Sequence, residues 1–130
     1  MIQRIRIRNF RSLRDVDVQL QPLTVIIGRS GTGKTNFVRA LRFLQRFLSE
    51  RNATTLGPTE LCATARSVGD KVGFEIDFAV PSFDGDFAYR ISFAMQQQGT
   101  VAFNPEELTH EGKTLFKQAE GKWIESPILL

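Results

Sequence analysis

The stretch Leu23-Thr24-Val25-Ile26-Ile27-Gly28-Arg29-Ser30-Gly31-Thr32-Gly33-Lys34-Thr35 decides how the chain is read. Residues 23–27 are short, almost wholly apolar and β-branched, which predicts a strand buried on both faces. Gly28 ends that run, and residues 28–35 satisfy the phosphate-loop spacing of glycine, four residues and Gly-Lys-Ser/Thr. A triphosphate packs several negative charges into a small volume. Glycines let the backbone wrap it closely enough for successive N–H groups to point inward. Lys34 is expected to reach the β and γ phosphates, and the Thr35 hydroxyl to ligate Mg²⁺. The expected ligand is a purine nucleoside triphosphate, ATP with Mg²⁺, held by Gly28, Ser30, Gly31, Thr32, Gly33, Lys34 and Thr35. A glycine-rich turn that merely carries Lys-Thr is the competing reading. The order of strand, loop and helix argues against it.

The helix is read from a change of period. From Thr35 onward Phe37, Val38, Leu41, Leu44 and Leu48 recur at helical intervals, with Arg39, Arg42 and Arg46 mostly elsewhere on the wheel. This predicts an amphipathic helix of about four turns that frays near residues 49–52. Its unsatisfied N-terminal donors and the positive end of its dipole face the same anion as the loop.

Upstream, residues 2–10 and 13–20 each read as a strand, and the short polar link Arg11-Ser12 makes them an antiparallel pair. Arg4, Arg6 and Arg8 fall on one side of the first strand, Ile5 and Ile7 on the other. With Arg11 and Arg14 they place five arginines in the first fourteen residues. Such a strip is either a solvated strand face or a surface for nucleic-acid phosphates, although it carries no base-reading group.

Downstream, residues 51–70 hold Gly57, Pro58 and Gly69 without a clear period and read as a loop, with a short helix at residues 59–66 as an option. Val72, Phe74, Ile76, Phe78 and Val80 then alternate with smaller or polar residues, and Phe87, Tyr89, Ile91, Phe93 and Met95 repeat the pattern. Asp84-Gly85 between them predicts a hairpin turn. Val101, Phe103, Leu108, Leu115 and Phe116 continue an antiparallel meander with turns at Glu111-Gly112-Lys113 and at residues 119–122. The aromatic stripe Phe74, Phe78, Phe87, Tyr89 and Phe93 is spaced as core packing rather than as a base-stacking platform, with Trp123 as its cap. Glu75, Asp77 and the pair Glu106-Glu107 read as solvated charges, and His110 as a surface strand position with no metal partner.

Composition bounds these readings. A chain of 130 residues with 42% hydrophobic content and a net charge of +3 fits one soluble domain. No apolar run approaches the roughly 20 residues that cross a bilayer, and the N-terminus lacks a secretory pattern. The single cysteine, Cys62, agrees with a reducing, cytoplasmic setting and no membrane partner.

The string Ile5-Arg6-Ile7-Arg8-Asn9-Phe10-Arg11-Ser12-Leu13, followed by the apolar run, the phosphate loop and Asn36, resembles the start of ABC-type ATPases of the RecF, SMC and OLD group. It is most similar there to the AAA-like ATPases. The segment Glu107-Leu108-Thr109-His110-Glu111-Gly112-Lys113-Thr114-Leu115-Phe116 resembles their β-subdomain. The resemblance covers nearly the whole chain, strongly to about Leu48 and loosely beyond. It implies an α/β P-loop NTPase fold: an ABC-ATPase-like N-terminal lobe with a mixed sheet and an antiparallel β-subdomain. Residues 1–130 would form one partial nucleotide-binding domain, with hairpin, loop strand and helix in 1–50 and the β-subdomain in 71–124. It adds Asn36, and more weakly Arg11 and Ser12, to the nucleotide contacts. Ser30 stands where the family often has asparagine.

The family also uses a Walker B strand with a catalytic glutamate, a signature helix and a switch histidine, all from a second lobe. No apolar strand ending in Asp-Glu and no signature-like Ser-Gly segment follows Lys34. The resemblance therefore implies the N-terminal part of a longer ATPase, inactive alone. Its partners would be nucleotide, the C-terminal lobe and, in the complete protein, a head-to-head second copy, with DNA as a further possibility. A DNA-associated module and a small-molecule kinase are the alternatives; the latter lacks an arginine-rich lid.

Overall fold

Strict alternation of apolar and polar residues builds one sheet. In the computed structural model, which describes residues 1–50, 71–95, 101–119 and 122–125, the elements are β1 (Ile2–Phe10), β2 (Leu13–Gln19), α1 (Lys34–Glu50), β3 (Lys71–Phe78), β4 (Phe87–Met95), β5 (Val101–His110), β6 (Lys113–Ala119) and β7 (Lys122–Glu125). The strands form a seven-stranded sheet in the order β2-β1-β3-β4-β5-β6-β7. Every pairing is antiparallel. The register lines apolar residues into rows across the strands, for example Val18, Ile5, Ile76, Tyr89, Leu108 and Phe116. One face of the sheet is thereby apolar.

Helix α1 covers that face with Phe37, Ala40, Phe43, Leu44 and Phe47, all buried. The ring of Phe93 receives Phe43 edge-on at 5.0 Å and Phe47 at 4.9 Å. Phe10 meets Phe43 at 5.8 Å from the hairpin side. Edge-to-face pairs of this kind add about 0.5–1.5 kcal/mol to the burial of each ring.

Three expectations need correction. Residues 23–27 are not a strand: they run as irregular chain outside the sheet, with Leu23, Val25 and Ile27 largely exposed. Among the described residues the sheet is accordingly antiparallel and not mixed. A strand buried on both faces needs a neighbour on each edge and a layer above and below. Among the described residues no strand pairs with this segment.

The helix is also rotated from its expected setting: of the five apolar positions read from the sequence, Phe37 and Leu44 are buried, whereas Val38 and Leu48 are each 44% exposed. The buried face is centred on the phenylalanines, which bury more area against the sheet, with Leu48 at its edge beside Ile76 and Phe78 and Val38 turned further toward solvent.

Glu106, read as a solvated charge, is wholly buried and accepts a 2.8 Å hydrogen bond from the Tyr89 hydroxyl. It continues the inward row of Val16, Ile7, Phe74 and Ile91. Pro105, which cannot donate to a ladder, precedes it where the β4–β5 register shifts, between Ile91 and Phe93. The optional helix at residues 59–66, Cys62 and the side chain of Trp123 lie outside the described residues.

The opposite face carries a ladder of charges. Arg4 donates to Asp17 at 2.8 and 2.6 Å and to Asp77 at 3.3 Å. Arg6 forms a two-pronged bond with Asp15 at 3.0 and 2.9 Å, and Arg8 lies 3.4 Å from Glu75. The hydrogen bonds from Arg6 hold the Asp15 carboxyl below its ordinary range, and those from Arg4 do the same for Asp17. Glu75 and Asp77 are thus solvent-side charges, as expected, and they serve as partners for β1. His110 stacks on Phe87 at 4.3 Å, and its Nε2 lies 2.6 Å from the Asp84 carbonyl.

Two predictions follow from packing and charge. Phe47→Ala should lower unfolding free energy by about 3–5 kcal/mol, while Val38→Ala should stay within about 0.5 kcal/mol, as read by urea denaturation. Because both aspartates titrate lower when folded than unfolded, their contribution is fully present above about pH 4 and is lost as pH falls through the depressed values. The double variant Asp15→Asn/Asp17→Asn should therefore show a flatter melting temperature between pH 2 and 5; an unchanged acid slope would contradict the ladder.

Candidate functional site

The first turn of α1 begins where the loop ends. Phe37 N donates to Gly33 O at 2.9 Å, the first bond of the helical pattern. The amides of Lys34, Thr35 and Asn36 precede that bond and point off the helix start, as first-turn donors must. Before them the loop closes on itself: Thr32 donates to Arg29 O through its amide at 3.3 Å and through its hydroxyl at 2.7 Å. Gly31 and Gly33 hold φ of 85° and 96°, a region that other residues enter at a cost. Gly28 is demanded by space instead, since a Cβ there would lie 2.8 Å from Thr32 Oγ1.

Lys34 bends back so that its Nζ donates to the Gly28 carbonyl. The ammonium therefore lies across the loop and not out in solvent. Ser12, Ser30, Gly31, Gly33, Lys34, Thr35 and Asn36 line one hollow of about 410 Å³. Of the ten residues expected at the site, these seven come together at the cavity. Gly28 and Thr32 shape the loop from behind, and Arg11 sits at the hairpin corner with φ of 50°.

The corner reaches the loop from the sheet. A Cβ on Gly33 would stand 3.2 Å from Leu13 Cδ2 and 3.4 Å from Ser12 Oγ, so the hairpin packs directly against the loop glycine. Asn36 Nδ2 donates to Ser12 Oγ at 2.7 Å. The direct Asn36–Ser12 contact is not visible in the sequence; the only signal available is that both positions are polar beside structured turns.

The hollow gathers helix-start amides, one ammonium and three hydroxyls, and among the described residues no carboxylate lines it. Such a surface favours a polyanion. A divalent ion fits there only as part of that anion's complex. Among the described residues no group of three or more His, Cys, Asp or Glu could hold a metal, so Thr35 would supply one oxygen and phosphate and water the remainder. A second cavity of about 530 Å³, lined by Ile2, Leu48, Ile76, Phe78, Leu108 and Phe116 with Tyr89 and Glu106, is almost wholly apolar and has no use for phosphate. No helix among the described residues is long and apolar enough to cross a membrane.

The AAA ATPase domain model matches residues 1–120. The OLD nuclease of Thermus scotoductus is 49% identical over 41 residues, 32% of this chain and 8% of its own length. The DNA replication and repair protein RecF of Streptococcus uberis is 43% identical over 54 residues, covering 41% of this chain and 15% of that protein. Endonuclease GajA of Bacillus cereus is 50% identical over 40 residues, 31% of this chain and 7% of the relative. The matched segment thus spans less than a sixth of each of these relatives. With the family model covering most of its length, the chain belongs to the AAA ATPase domain family, within the RecF/OLD group of P-loop NTPases.

Proposed function

We propose that the chain binds ATP·Mg²⁺ at the hollow between the hairpin corner and the start of α1, as the N-terminal part of an ABC-type ATPase head. The observation that carries this is the convergence of Lys34, Thr35 and the first-turn amides on one cavity free of carboxylates. Backbone donors of residues 30–35 would cradle the β phosphate, Lys34 would leave the Gly28 carbonyl for the β and γ oxygens, and Thr35 would give its hydroxyl to the metal. Gly28, Thr32 and Gly33 keep the loop in shape, while Arg11, Ser12 and Asn36 form the rim.

Binding is not hydrolysis. In-line attack by water needs an acidic group to orient it and a stabiliser for the transferring phosphoryl. Among the described residues the hollow has neither a carboxylate nor a second cation, and on this reading turnover requires a further lobe that brings Walker B and signature residues. Exposed apolar surface supports that completion: Leu23 is 82% exposed, Val25 72% and Ile27 90%, and Val38 on α1 is 44% exposed. On this reading residues 1–130 are one partial nucleotide-binding domain, residues 23–27 become a strand when paired by the other lobe, and two heads close on nucleotide in the complete protein. The names of the relatives, a nuclease and a repair protein, favour a DNA-directed process for the whole enzyme. The DNA-associated alternative gains nothing from β1, because Arg4, Arg6 and Arg8 are each engaged by carboxylates.

Titration calorimetry tests the site. Lys34→Ala should weaken MgATP binding roughly ten- to a hundred-fold, the worth of a charge-assisted contact of about 1.5–3 kcal/mol, and Thr35→Val should remove most of the dependence on Mg²⁺. Unchanged affinity in Lys34→Ala would end the assignment. The chain alone should release no phosphate above background; steady turnover that Lys34→Ala abolishes would show that no second lobe is needed.

A further inference from the structure

We infer that Asn36 is a positioning residue which, through Ser12, couples occupancy of the phosphate loop to the corner of the β1–β2 hairpin. The inference rests on the nucleotide reading above and assigns a device that the loop motif does not contain. Asn36 stands on the first turn of α1, one residue beyond Thr35, and its Nδ2 donates to Ser12 Oγ at 2.7 Å, from one element of the fold to another 24 positions away. Both side chains line the hollow.

Three further observations make this contact a latch and not a chance surface bond. The corner is held in a conformation that it does not choose freely, since Asn9 and Arg11, neither a glycine, hold φ of 57° and 50°. Such values persist where surroundings impose them. The corner is also tied from its other side, because Asn9 Nδ2 donates to the Lys71 carbonyl of β3 at 3.1 Å. And Gly33 sits so close to Leu13 that a Cβ would approach it to 3.2 Å, so a shift of the loop backbone is felt at once by the hairpin.

The chemistry of the hydroxyl gives the latch a direction. With its oxygen accepting from Asn36, Ser12 keeps its own proton to donate, and it lies on the cavity wall. Asn36 therefore fixes where that donor stands relative to a bound anion. A nucleotide that orders the start of α1 orders Asn36, then Ser12, and with it the strand pair that carries the charge ladder.

The test is a double-mutant cycle read in two ways on the full chain. MgATP affinity is measured by calorimetry for the unaltered chain, Ser12→Ala, Asn36→Ala and the double variant, and amide hydrogen exchange at residues 11–14 is followed with and without MgATP. Each single variant should bind roughly three- to ten-fold more weakly, and the double variant no more weakly than either single one. MgATP should slow exchange at residues 11–14 in the unaltered chain, not in Ser12→Ala or Asn36→Ala, and again in Ser12→Thr, which restores the hydroxyl at an exposed position. Losses that multiply in the double variant, or a corner whose exchange ignores MgATP in the unaltered chain, would overturn the latch while leaving the nucleotide site standing. Failure of the unaltered chain to bind MgATP would remove both.

Discussion

The packing of three phenylalanines of α1 against the sheet is the constraint on which the rest of the structure depends. A phosphate site of this kind is made of backbone donors, and backbone donors can be aimed only by aiming the helix that bears them. Phe43 and Phe47 set that aim by meeting Phe93 edge-on, and Phe10 adds a contact with Phe43 from the strand that leads into the hairpin corner. Fixing the helix axis on the sheet also fixes the distance between its first turn and that corner. Contact between Leu13 and Gly33 is thus a consequence of the core and not a separate feature of the loop.

Electrostatics then decide what the molecule can attract. The basic strip of β1 looks in isolation like a surface for phosphates, yet the antiparallel register brings Asp15, Asp17, Glu75 and Asp77 to the strands on either side of it. Arg4 finds Asp77 directly opposite, Arg4, Arg6 and Arg8 find Asp17, Asp15 and Glu75 diagonally across the ladder, and the charges there largely offset one another. At the hollow the balance differs: Lys34 and the positive end of α1 converge, and among the described residues no acidic side chain lies on the cavity wall. Exposed pairs such as those of β1 contribute little to stability individually. Their larger effect is to leave the loop as the place where a polyanion gains most.

Much of this was readable from residues alone, and the pattern of what was not is physical. Alternation set the strands around Ile5, Ile7, Phe74 and Phe93 because one face of an antiparallel sheet is dry and the other wet. The spacing of residues 28–35 placed the loop because glycine is needed at fixed points of tight backbone. The rotation of α1 was not readable, since its apolar residues spread over a wide arc and only the tertiary partner ranks Phe43 and Phe47 above Val38 and Leu48. Glu106 was hidden for a related reason. Its parity with Leu108 pointed inward, but a carboxylate is normally assigned to water unless a partner such as the Tyr89 hydroxyl is known. The bond from Asn36 to Ser12 links elements whose distance in space no periodicity encodes.

The antiparallel sheet buries the phenylalanine face of α1, whereas Val38 and the apolar residues 23–27 stay exposed, and on the proposed reading a second layer would cover them. The phosphate loop joins these two regions. Its helical end is held by the core through Phe37, whereas its Gly28 end hangs from a segment with little packing of its own. The entropy of ordering that end must be overcome either by the ligand or by whatever covers residues 23–27. On the proposed reading, a second lobe would therefore do more than supply catalytic groups: by pinning the strand before Gly28 it would preorganise the loop, so that nucleotide affinity and assembly of the head are linked by the same backbone.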